Sequence, residues 1–120
     1  MGKPYEDRTQ DTGSASVKTL YLKKVPNGFN LLVHQVSAYI YTTVMGDYTT
    51  AKYVNVGFER NGVKFYLKGQ DVATSDTVIH TRNHFIISSG CRPFATFEDT
   101  ATTVTYFLEV VGELVPIETI

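Results

Sequence analysis

Asn61-Gly62 lies between two runs of alternating apolar residues, Tyr53 to Arg60 and Val63 to Lys68. Both central positions of a type I′ turn need positive φ, which Asn and Gly tolerate, so the dipeptide predicts a β-hairpin with a two-residue loop. That loop sets the register: Arg60 faces Val63, Glu59 faces Lys64, Phe58 faces Phe65 and Val56 faces Leu67. Val54, Val56, Phe58, Val63, Phe65 and Leu67 then share one face, and Tyr53, Asn55, Glu59, Lys64, Tyr66 and Lys68 share the other. A slip of one residue would turn the phenylalanines outward, so the pattern resists any other pairing.

The same period of two recurs elsewhere. Val17 to Val25 reads as a strand stopped by Val25-Pro26-Asn27-Gly28, with Pro26 preset for the second position of a type I turn. Phe29 to Val44 is too long for one regular strand, so a bulge or bend is expected near His34 or Gln35. Its second half places Val36, Ala38, Ile40 and Val44 towards a core and Gln35, Ser37, Tyr39, Tyr41 and Thr43 away from it. Met45 to Thr50 reads as a loop. Short strands follow at Thr77 to His80, His84 to Ser89 and Arg92 to Phe97, with Phe85-Ile86-Ile87 reading as a fully buried run. After a turn at Glu98-Asp99-Thr100, Ala101 to Gly112 forms the last long strand, with Val104, Tyr106, Leu108 and Val110 on one parity. Leu114 to Ile120 is either a short edge strand or a docking tail.

These elements predict an all-β chain: an antiparallel β-sandwich or jelly roll of about eight strands, with an extended N-terminal arm. Residues 1–16 are polar and without apolar periodicity and are assigned to the arm; residues 17–120 form the sandwich domain. The abundance of Thr, Tyr, Phe and Val suits pleated, half-buried surfaces.

Charge and composition exclude several roles. Eleven basic residues are balanced by twelve acidic ones, for a formal net charge of −1, which supplies no field to attract phosphate backbones; no nucleic-acid partner is expected. No apolar run is long enough to span a bilayer and the N-terminus begins polar, so no membrane partner or secretory route is expected. The lone Cys91 cannot form an intrachain disulfide.

The candidates for chemistry are few. His80 and His84 have ligand-like spacing but sit about a turn with no third ligand nearby, and the expected role is backbone hydrogen bonding. Cys91 beside Arg92 resembles an activated thiolate only in charge, and Ser88-Ser89-Gly90-Cys91 matches no nucleophile motif. His34, between Leu32 and Val36, reads as a core or rim histidine. Asp71, Asp76, Glu98 and Asp99 lack the spacing of a calcium loop. Neither an enzyme nor a cofactor is expected. What remains is surface: Tyr5 anchors the arm, Tyr39, Tyr41, Tyr53 and Tyr66 lie opposite the expected core, and Leu114, Ile117 and Ile120 mark an apolar tail. These are the candidate partner-binding residues, since tyrosine combines stiff contact area with a hydroxyl. The same rings could stack on sugars, so a small carbohydrate-binding module is an alternative.

Val25-Pro26-Asn27-Gly28-Phe29, the strand from Val33 to Thr43, and Tyr53 to Gly62 with Val63 to Leu67 together resemble small β-sandwich proteins encoded among tailed-phage structural genes, the capsid decoration or cement proteins. The resemblance spans Val25 to Leu67. It implies a virion component, assembled in the host cytoplasm, that binds the major capsid protein or other virion proteins and forms dimers or trimers. A head-tail connector or a tail or fibre component is the alternative within that group. It carries over no catalytic residue.

Overall fold

Alternating side chains along most of the chain give each sheet one apolar face, and stacking two sheets face to face buries both. The computed structural model describes residues 2–13, 17–41, 53–71, 79–81, 85–98 and 104–117. Among them lie β1 (Lys3–Thr12), β2 (Lys18–Tyr21), β3 (Phe29–Tyr41), β4 (Tyr53–Arg60), β5 (Val63–Asp71), β6 (Ile79–Thr81), β7 (Phe85–Ile87), β8 (Arg92–Phe97) and β9 (Thr105–Pro116). One sheet runs β1-β9-β3, with both β6 and β7 on the far side of β3; the other runs β2-β8-β4-β5. Every pairing is antiparallel. Because β7 takes Leu31–Val33 and β6 takes Val36–Ala38, the two are halves of one broken edge row. Counted as rows, the described strands make the expected eight.

The core is the set of inward side chains of both sheets. Leu31, Val33, Val36, Ala38 and Ile40 of β3 meet Tyr106, Leu108, Val110 and Leu114 of β9, and opposite them lie Leu20, Val54, Val56, Ala95 and Phe97. Phe97 and Tyr106 make a tilted ring contact at 4.8 Å between the sheets. Along β3 the inward residues change parity between Val33 and Val36. A bulge between Val33 and Gln35, where the sequence places it, absorbs that change and keeps both halves facing the core.

The hairpin forms as expected at its tip. Asn61 and Gly62 have φ of 51° and 82°, and Glu59 pairs with Lys64 and Phe58 with Phe65. The register then shifts: Val56 pairs with Lys68 instead of Leu67. The expected inward face of β5 is also corrected. Val63, Phe65 and Leu67 are exposed, because β5 is an edge row whose inward side the facing sheet does not cover.

Four further readings change. Lys3–Thr12, assigned to the arm, is extended but lies along β9 as β1. The apolar end up to Pro116 is the continuation of β9, not a separate strand or tail. Ile86 is 61% exposed, since β7 is an edge segment that buries only Ile87 fully. The Pro26 turn is displaced by one residue: the Phe29 amide donates to the Pro26 carbonyl and Gly28 takes φ 85°, which puts Gly where a type II turn requires it. Val44, the loop expected from Met45 and the turn residues 99 and 100 lie outside the described residues.

Candidate interaction surface

Each sheet presents an outer face built from the parity the core does not use. On the β2-β8-β4-β5 sheet, Tyr21 pairs with Phe94, Phe94 with Gly57, and Gly57 with Tyr66, so one row crosses all four strands. Gly57 is required there: a Cβ would fall 2.1 Å from the Phe65 carbonyl oxygen and 3.1 Å from the Phe94 ring. Without that side chain, Tyr66 reaches Phe94 edge-on at 5.5 Å. Cations cover the rings. Arg92 lies 3.8 Å from the Tyr21 centroid, and Lys64 Nζ lies 5.4 Å from that of Phe94. Phe94 is thereby buried on an outer face, while Tyr66 stays 59% exposed.

Glu59 ties this patch together by accepting a 2.9 Å hydrogen bond from Arg92 Nε. That bond is the main cause holding its carboxyl below the ordinary carboxylate range; the Arg92 charge, a Tyr21 hydroxyl bond and Lys64 assist, against partial desolvation. Because folding lowers this pKa, the stabilisation is complete above the pKa of the unfolded chain and is lost as pH falls through the lowered value. Asp11, held down chiefly by its hydrogen bond from Lys18, behaves likewise. Urea midpoints followed from neutral pH to about pH 3 are therefore expected to fall, and Glu59→Gln to flatten part of that fall. An acid dependence unchanged by Glu59→Gln would refute this account of the pair.

The other outer face is different in kind. Tyr39 stacks on Phe107 at 4.6 Å and 6°, and Arg8 covers Phe107 at 5.2 Å. Towards the far end, Asn30, Leu32, Ile86 and Val115 line an apolar groove of about 200 Å³.

The candidate residues are therefore scattered. Tyr39 and Tyr66 project from opposite sheets and cannot form one face or one sugar platform. Tyr5 is half-buried against the core, and its hydroxyl pKa is raised first by that burial and then by Asp7. Leu114 is 6% exposed and belongs to the core, so it offers no surface to a partner. Ile117 is 44% exposed, and its amide donates to the Gly28 carbonyl. Tyr41 and Tyr53 lie in β3 and β4, without described side chains, and Ile120 lies outside the described residues.

Cys91 is buried in the core, its amide bonded to the Ser88 carbonyl, which places the thiol out of reach of a substrate. His34 occupies the β3 bulge, His80 lies in β6, and His84 is outside the described residues. No group of His, Cys, Asp or Glu among the described residues could hold a metal ion. The surface residues that sequence reasoning missed include Val63, Phe65, Leu67, Leu32 and Ile86; alternation assigned the first three inward, and continuous hydrophobicity assigned Ile86 to a buried run.

No family model matches the sequence, and no curated protein matches it. Among solved structures, the fold is similar to a chain in the acidic stable capsid structure of Helicobacter pylori bacteriophage KHP30. The TM-score is 0.65 at 17% identity, over 99% of this chain and 100% of that one. The arabinose-bound α-L-arabinofuranosidase MgGH51 aligns at a TM-score of 0.41 and 12% identity, over 89% of this chain and 19% of that one. Eiger TNF from S. frugiperda aligns at 0.40 and 6%, over 97% and 96%. The capsid chain shares the sandwich fold; the other two are too remote to carry an argument.

Proposed function

We propose that the chain is a non-catalytic structural protein of a phage virion, and within it a capsid decoration or cement protein that binds the major capsid protein and stabilises the shell. The observation that carries this reading is the end-to-end correspondence with a chain from a phage capsid, 99% of one against 100% of the other. Such coverage means that the same set of strands makes up nearly all of both chains. The surface agrees in kind. Its assets are aromatic and apolar patches suited to protein contact, and the thiol that could have served chemistry is buried. A head-tail connector or a tail component would be built on the same sandwich; the capsid source of the similar chain favours the shell.

Cosedimentation with phage capsids stripped of their accessory proteins tests the proposal. Saturable binding at a fixed copy number per particle, together with a higher disassembly temperature, is the expected result. No binding to closed shells, with binding to isolated tails or portal assemblies, would move the protein to the connector or tail.

A further inference from the structure

Among the described residues, the outer rows of the sandwich are β1 and the broken β6/β7 row in one sheet, and β2 and β5 in the other. An outer row exposes unpaired peptide groups, and proteins guard such rows with proline, charge or brevity. β1 carries Pro4 and the charges of Lys3, Glu6, Asp7, Arg8 and Asp11; β2, β6 and β7 are short. β5 is long, has no proline, and between Val63 and Leu67 has Lys64 as its single charge; its irregularity comes only at Leu67, so Val63 to Tyr66 stay regular. Val63, Phe65, Tyr66 and Leu67 there are 56%, 46%, 59% and 42% exposed.

We propose that β5 pairs antiparallel with β5 of a second copy about a two-fold axis at Phe65, joining two sheets into one. The proposal deepens the virion reading and rests on it for its setting. Hydrogen-bond phase requires the axis to pass through a residue and not between two. In a hairpin with a two-residue loop the flanking pair, Arg60 and Val63, is hydrogen-bonded, so the peptide groups of Val63 and Phe65 turn towards β4 and those of Lys64 and Tyr66 turn outward. The Phe65 carbonyl does lie over Gly57 of β4. An axis at Phe65 lets Lys64 exchange backbone hydrogen bonds with the partner's Tyr66, and leaves the two Phe65 residues as a close, non-hydrogen-bonded pair.

Side-chain chemistry selects Phe65 among the axes that this phase allows. Val63 falls opposite the partner's Leu67, Phe65 opposite the partner's Phe65, and the Lys64 ammonium opposite the partner's Tyr66 ring. Phe65 already stacks on Phe58 at 5.0 Å, so the ring that would meet its copy is held in place. Moving the axis one residue in either direction sets Lys64 against the partner's Lys64 or against the partner's Lys68, a like-charge pair in both cases.

A contact this short gives a weak dimer in solution that a particle would strengthen by presenting many copies. Sedimentation of the full chain up to about 0.3 mM is expected to show concentration-dependent dimers, and Phe65→Arg to weaken them by about tenfold or more with an unchanged melting curve. Because non-hydrogen-bonded pairs lie within disulfide reach, oxidised Phe65→Cys is expected to cross-link, and Tyr66→Cys, which falls opposite Lys64, to remain uncoupled. Cys91 is buried and does not compete. A wild type monomeric throughout, dimers indifferent to Phe65→Arg, or equal cross-linking of the two cysteine variants would each overturn the pairing. Capsid binding by a protein that stays monomeric strikes down the pairing alone; dimers that ignore capsids strike down the virion reading alone.

Discussion

Replacing Gly112 with alanine is expected to lower stability by about 3 kcal/mol, and the melting temperature by about 10 °C. Gly112 pairs with Val33 beside the β3 bulge, where the two backbones approach closely. A Cβ built at Gly112 lies 2.2 Å from the Leu32 carbonyl oxygen and 3.1 Å from Val33 Cα. Both obstacles are backbone of β3, so no rotamer change relieves them, and β3 and β9 are the adjoining central strands of the larger sheet. Gly28→Ala is the control. Its φ of 85° is unfavourable for alanine, but nothing lies within 4 Å of the added carbon. It is expected to cost about 1 kcal/mol. Urea denaturation of the two variants decides: equal midpoints would mean that the β3/β9 pair yields to the methyl group and that the close approach is not needed.

The same glycine shows why part of the fold was hidden in the sequence. Gly112 reads as the end of a strand, yet it lies within β9 as the residue that admits the β3 bulge. β3 announced its own bulge because Phe29 to Val44 is too long for one regular strand, whereas Leu67 continues the alternation of Val63 and Phe65 through the β5 irregularity and hides it. β1 was illegible for another reason. It is an edge row whose alternate residues Asp7 and Thr9 are only half-buried and whose Asp11 is exposed, so its place is set mainly by the backbone ladder to β9. A strand held in that way needs no apolar period.

The candidate surface was legible only strand by strand. Alternation separates the two faces of a strand but not the two sheets of a sandwich. Tyr39 and Tyr66 therefore read alike, although they project from opposite sides of the molecule. Alternation likewise points Phe65 inward without telling whether a facing sheet extends over it. Burial depends on strand order, and order arises from pairings such as β4 with β8, which lie far apart in sequence.

Phe97→Ala is expected to destabilise the domain by about 3–5 kcal/mol, whereas Phe65→Ala in the isolated monomer should cost less than about 1 kcal/mol. Period and residue type are the same at the two positions; burial is 0% exposed against 46%. Phe97 lies in β8 between Lys18 of β2 and Val54 of β4, and its ring meets Tyr106 of the opposite sheet at 4.8 Å. Truncation removes the apolar transfer energy and leaves a cavity between two sheets whose strands are held by their own ladders and cannot collapse freely. Phe97→Leu, which retains most of the volume, should cost about 1–2 kcal/mol and keeps the comparison measurable if the alanine variant fails to fold. Chemical denaturation of the three variants at a concentration where the wild type is monomeric provides the test. If Phe65→Ala proved as costly as Phe97→Ala under those conditions, β5 would be covered within its own monomer, and its apolar edge would no longer be available to a second copy.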